Sequence, residues 1–211
     1  DNLGIGHGAL GGAVAGGEYN VAVGNYSLDA LTSADSCTAV GYQAGSAKTS
    51  GNHGTFIGYN AGLLVTTGTD VTFVGSEAGD GHDTESYNTG VGSGALGGPI
   101  SGGEYNTAVG AYTLDALTSG NSNVAVGYAA GGAITTGPRN VCLGESAGGS
   151  IISGEGNVCI GQNSGNAGVS LTTGDNNILI GEKISAGGAG NHRQIVIGTE
   201  GTTGKVITLH L

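Results

Sequence analysis

Aromatic residues make up only 5% of this 211-residue chain, and prolines number two, Pro99 and Pro138. So few rings argue against a conventional globular core, which takes much of its buried area from them. With two prolines and no Gly-X-Y period, the 47 glycines do not make a collagen. Basic residues are as scarce: five Lys and Arg stand against sixteen Asp and Glu, a formal charge of −11. That balance repels phosphate backbones and anionic membranes, so neither nucleic acid nor membrane insertion is expected, and it favours solubility. No apolar run approaches the length of a membrane span. Cysteine is sparse and odd in number (Cys37, Cys142 and Cys159), with no CxxC or Cys/His ligand spacing, so no zinc site is expected.

What the chain does have is a repeat. A glycine preceded by an aliphatic residue returns at Gly6, Gly24, Gly41, Gly58, Gly75, Gly92, Gly110, Gly127, Gly144, Gly161, Gly181 and Gly198. The spacing is 17 residues, relaxed to 18 twice and to 20 once. A fixed short period is the signature of a solenoid, each repeat one coil stacked on the last. The expected fold is therefore all-β: a parallel β-solenoid, or β-roll, of about twelve 17-residue turns over residues 1–200. At ~4.8 Å per turn it makes a rod of roughly 55–60 Å. The chain opens in mid-repeat, and a further segment upstream is expected.

Three columns precede each glycine. The residue directly before it is aliphatic in all twelve turns, from Ile5 and Val23 to Ile197. Two places earlier stand nearly all β-branched residues, among them Val21, Thr38, Thr55, Thr72, Thr89, Thr107 and Val124. Residues two apart on a strand share a face, and β-branched pairs suit a buried pleated surface, so these two columns are expected to line the interior. The column between them would then point outward: Gly4, Ala22, Ala39, Phe56, Phe73, Gly90, Ala108, Ala125, Cys142, Cys159, Leu179 and Val196. It holds no charge and no hydroxyl, and several members are too large for a tight turn. A second chain covering it is expected, which makes this column an interface between chains. Cys142 and Cys159 would sit ~4.8 Å apart, close enough to bridge, with free buried thiols the favoured state.

Eight turns carry asparagine four places before the glycine (Asn2, Asn20, Asn88, Asn106, Asn123, Asn140, Asn157 and Asn177). These read as stacked structural corners rather than ligands. On the far side of the coil, stretches such as Thr66-Thr67-Gly68 and Thr135-Thr136-Gly137 read as a short second strand and a turn. Residues 2–45 and 88–131 are identical at 30 of 44 positions, 86 residues apart. A five-turn block has been duplicated, 2–87 and 88–173. Turn 10 expands around Asn166 to Leu171, and 201–211 alternate like a transition strand or cap.

The pattern Asn-x-Ala-Val-Gly-Tyr-x-Ala-Gly at Asn123 to Gly131 resembles the repeat arrays of bacteriophage tail-fibre and tailspike-like proteins, and the related head repeats of trimeric autotransporter adhesins. Asn177-Ile178-Leu179-Ile180-Gly181, followed by Ile195-Val196-Ile197-Gly198, looks like the closing turns of such arrays. The resemblance implies a trimeric β-roll on a virion surface, as a tail fibre, or on a cell surface.

Chemistry is thin. The paired acids Asp29 and Asp115, and Glu18 and Glu104, are copies five turns apart, too distant to cooperate as a glycosidase pair. Asp80, Asp83 and Glu85 offer oxygen ligands for Ca²⁺, with a solvated acidic loop the favoured reading. Tyr42, Tyr59 and Tyr128 follow their column glycines, while Tyr19 and Tyr105 stand beside Glu18 and Glu104 in the two 18-residue turns. These are the ligand candidates, for sugar stacking or protein contact. The leading expectation is a non-enzymatic attachment-fibre segment that binds a host glycan or surface protein. A passive spacer and an ice- or mineral-binding solenoid are the alternatives, the last requiring the Thr38-to-Thr107 column to face outward.

Overall fold

The computed structural model describes residues 1–168, 170–198 and 209–210. It is an all-β parallel solenoid. The strands are β1 (Leu3–Ile5), β2 (Val21–Val23), β3 (Thr38–Val40), β4 (Thr55–Ile57), β5 (Thr72–Val74), β6 (Thr89–Val91), β7 (Thr107–Val109), β8 (Val124–Val126), β9 (Val141–Leu143), β10 (Val158–Ile160), β11 (Ile178–Ile180), β12 (Gln194–Ile197) and β13 (Leu209–His210). They pair in sequence order in one sheet, β1 to β12 parallel and in register, with Thr38 beside Thr55 and Phe56 beside Phe73. β13 pairs antiparallel with β12; the rest of the transition strand or cap expected over 201–211 lies outside the described residues.

Strands β1 to β11 are each three residues long because the coil must turn at once on both sides. The column glycine makes the turn after it. At Gly41 the backbone has φ +143, and a Cβ there would lie 2.2 Å from the Gly58 carbonyl oxygen. Only glycine fits so close a stack of backbones. Before the strand, the asparagines stack as expected. Asn106 Oδ1 accepts the backbone amide of Asn123 at 2.9 Å, and Asn123 Oδ1 does the same for Asn140 at 2.9 Å. A side-chain ladder thus runs from Asn88 to Asn177. On the far side no second strand forms among the described residues. Thr32, Thr118 and Thr135 amides each donate to the next turn, but the segments remain bends and turns.

The facing of the strand is the reverse of the sequence expectation. Ala22, Ala39, Phe56, Phe73, Ala108, Ala125, Cys142, Cys159 and Leu179 are fully buried, and Val196 nearly so, inside a single chain. The column assigned to a trimer interface is the core itself, and these ten residues are not available to a partner. The columns on either side face out: Val40 and Ile57 are each 39% exposed, with Thr38 and Thr55 half-buried. The physical reason is the narrowness of the coil. Across the core, the middle column meets the residue four places after the glycine, and the two sizes compensate. Ala22 is matched by Leu28, Gly90 by Leu96, Ala108 by Leu114, but Phe56 by Gly62 and Phe73 by Gly79. A Cβ on Gly62 would lie 2.2 Å from Phe56, and one on Gly79 2.4 Å from Phe73. No pair holds two large side chains; where both members are small, as in Ala39/Gly45 and Ala125/Gly131, Leu28 and Leu114 of the preceding turn lie against the glycine. The three cysteines are buried and unbridged.

Candidate functional site

The turns on each side of the strand place the tyrosines along two margins of the sheet. On the margin after the strand, His7, Tyr26, Tyr42 and Tyr59 form a ladder of rings, one per turn. His7 meets Tyr26 edge-on at 5.3 Å, Tyr26 meets Tyr42 edge-on at 6.1 Å, and Tyr42 stacks on Tyr59 at 5.7 Å with 10° between planes. Tyr42 and Tyr59 stay 43% and 52% exposed. Tyr128 sits on the same margin four turns on, edge-on to Tyr112 at 6.2 Å. On the margin before the strand, Tyr105 stacks on Tyr87 at 4.9 Å and 4°. Tyr19 occupies the matching corner of turn 2 and is exposed.

The backbone explains the presentation. Tyr19, Tyr87 and Tyr105 all adopt φ near +60, the left-handed region. The Glu18 and Glu104 amides donate to Asp35 and Asn121 side chains on the next turn, at 2.7 and 2.8 Å. Both corners are therefore fixed from below, while the Glu18 and Tyr19 side chains stand in solvent. The structure does not bring the sequence candidates into one site. Tyr42 and Tyr59 form one continuous platform, Tyr128 lies farther along that margin, and Glu18, Tyr19, Glu104 and Tyr105 occupy the other. Tyr26, His7 and Tyr87 are not among the sequence candidates. Their signal is the recurrence of aromatic residues one or two places after the glycine, or five before it.

A second feature has no signature among the sequence motifs. Glu77 and Asp80 from turn 5, Gly94 and Gly97 from turn 6, and Tyr112 and Asp115 from turn 7 line a notch of ≈ 220 Å³. It exists because turn 6 places two glycines where its neighbours carry side chains. Burial pushes the Asp80 carboxyl above its usual range, reinforced by the Glu77 charge, and burial alone does the same for Asp115. The expected calcium position fares differently. Asp80 lines this notch while the Asp83 carboxylate accepts the Thr66 hydroxyl. Glu85 is engaged by the Gly102, Asp83 and Thr84 amides at 2.9, 3.1 and 3.2 Å. Among the described residues no three His, Cys, Asp or Glu side chains come together to hold a metal ion.

Between the two aromatic margins runs the outward strand face, with one Thr, Val, Leu or Ile from each of two columns per turn and no charge from β1 to β12. It spans roughly 50 Å by about 10 Å, near 500 Å² in plan, the upper end of what a monomer exposes in one patch. No helix of the described residues is long and apolar enough to cross a membrane. Compared with family models, curated proteins and solved structures, the chain matches none.

Proposed function

We propose that the chain is a non-enzymatic segment of a trimeric attachment fibre, on a virion or cell surface, that binds a host glycan or surface protein. The observation that carries this reading is the uncharged Thr/Val and Val/Ile face, continuous over twelve strands and half-buried to exposed on the single chain. Three copies packed face to face around an axis would bury it with cyclic closure. The flanking tyrosines then lie at the solvent-accessible rim, and the Tyr26–Tyr42–Tyr59 ladder stays open as a stacking platform for pyranose rings. Light scattering tests the assembly: a mass near three times 20.2 kDa supports it and a stable monomer sinks it. A glycan array tests the ligand, with a Tyr42→Ala, Tyr59→Ala variant losing whatever the unaltered chain retains.

One observation favours a second reading, the ordered-surface binder. Thr38, Thr55, Thr72, Thr89 and Thr107 form an outward column over β3 to β7, in register at ~4.8 Å. Each lies beside an outward Val or Ile of its own strand, a regular array of hydroxyl and methyl groups. Thermal hysteresis decides between them. A sizeable freezing-point gap from a monomeric protein would replace the fibre reading with an ice-binding one.

A further inference from the structure

Seven places after the column glycine the coil carries a buried aliphatic residue: Leu31, Val65, Leu117, Ile134 and Ile151. Two turns of the first block depart from this, with Lys48 and His82, and both are fully buried. The duplication supplies their apolar counterparts. Lys48 corresponds to Ile134, and His82 to Leu171 once the three-residue insertion of turn 10 is counted. His82 is therefore a charge-capable residue at a place the fold fills elsewhere with hydrocarbon.

Its surroundings are ill suited to a cation. The ring lies against Phe73, centroids 4.6 Å apart, and neither nitrogen makes a well-formed hydrogen bond. The neighbours above and below are Val65 and Ile100, the latter eight places after its glycine because its turn has 18 residues, and both are uncharged. Glu85, on the same turn, is the charged group that acts on the ring, and the Leu96 backbone also favours the protonated form. Glu85 is already engaged by three amides. Turn 5 is also where the first block ends, so whatever loosens it separates the two blocks.

We propose that turn 5 (75–91) is an acid-opened hinge, in which protonation of the buried His82 ring opens the coil between the two five-turn blocks. The neutral ring packs as a hydrocarbon would, whereas the imidazolium needs water that only an opened turn admits. Desolvation depresses the folded-state pKa from 6.5 to about 4 against the pull of Glu85. The sign follows. The folded protein binds the proton less well than the opened one, so stability is full above pH 6.5 and falls as pH drops toward 4. Glu85, whose pKa burial raises but whose amide bonds lower it overall, loses its own contribution only below the ordinary carboxylate range. Burial and the Glu77 charge raise the Asp80 carboxyl of the same turn, which holds a proton more tightly folded than opened and so acts in the opposite sense. The loss of stability between pH 6.5 and 5 therefore belongs to His82.

Hydrogen exchange of the full chain, corrected for intrinsic rates, tests this at pH 7.5 and 5.0. Peptides within 66–103 should open about 30-fold more at pH 5.0, while peptides within 123–160 should not change. His82→Leu, the counterpart residue of the second block, should remove the response; His82→Gln, close in size and unable to titrate, serves if the leucine variant does not fold. An unchanged opening ratio in the unaltered chain, or a variant that keeps the 30-fold response, overturns the proposal.

Discussion

Asn123 Oδ1 accepts two hydrogen bonds from Asn140, from its backbone amide at 2.9 Å and from its side-chain Nδ2 at 3.2 Å. Asn140 Nδ2 in turn donates to the Gly154 carbonyl at 2.8 Å, so each amide ties three turns together. Asn123→Ala leaves the buried Asn140 amide without an acceptor, at a cost of about 1–3 kcal/mol. The expected outcome is a lower thermal midpoint, by roughly 2–4 °C per kcal/mol in a chain of this size. Exchange should rise first at Asn140. An unchanged midpoint would mean that water replaces the ladder.

Adjacent residues Phe56 and Ile57 should answer oppositely to substitution. Phe56 is fully buried, with Gly45, Gly54 and Gly62 leaving room for its ring, and Phe56→Ala empties that space at about 3–5 kcal/mol. Ile57 is 39% exposed on the outward face. Ile57→Lys should leave the circular dichroism of the coil intact and abolish self-association. Paired dichroism and light scattering read both effects. A folded trimer formed by the Ile57→Lys variant would remove the outward face from the proposed interface.

The period, the parallel register, the asparagine ladder and the glycine corners were legible in the sequence because each is a one-dimensional regularity. The facing was not, because both strand faces are uncharged and a period of two carries no sign. Treating β-branched columns as interior failed here: the interior is too narrow for a branched residue in every turn. A cue was nevertheless present. Phe56 opposes Gly62, Phe73 opposes Gly79, and Ala22 opposes Leu28, six residues apart in each case. Size complementarity at fixed separation marks residues that meet across a core. The notch around Asp80 and Asp115 was not legible, since it depends on the glycines of an intervening turn.

Lys48 offers a test of buried charge against an internal standard. Its Nζ donates to the Gly68 carbonyl, and desolvation lowers its pKa from 10.5 to about 8, partly offset by Cys37. The folded state thus holds the proton less tightly than the unfolded one. The lysine's contribution should be unfavourable below pH 8 and fade as pH rises from 8 to 10.5, by on the order of 2–3 kcal/mol. Lys48→Ile, the residue of the second block at this place, should be more stable at pH 7 and lack the rise. Burial raises the Cys37, Cys142 and Cys159 thiols and lowers the stability of both proteins above about pH 9, so the difference between the two reads the lysine. Denaturant midpoints at pH 7, 8.5 and 10 provide the measurement. Equal slopes for both proteins would show that the ammonium is solvated in the folded coil.

Two glycines, Gly16 and Gly41, separate costs that usually act together. Gly16 has φ +130, and a Cβ built on it meets nothing within 4 Å. Gly41, a column glycine, has φ +143, and its Cβ would lie 2.2 Å from the Gly58 carbonyl oxygen. Gly16→Ala therefore adds backbone strain alone, about 1–3 kcal/mol. Gly41→Ala adds the same strain together with a collision against backbone that has no rotamer to yield. The second substitution should be clearly the more damaging, and its effect should spread to the neighbouring turns through the Gly58 amide, which donates to Val40, and the Gly41 amide, which donates to Val23, each at 2.8 Å. Denaturation midpoints rank the pair, and exchange at those two amides locates the damage. Equal loss from both substitutions would mean that the turns separate without penalty, and that close stacking is not what selects glycine at the Gly41 column.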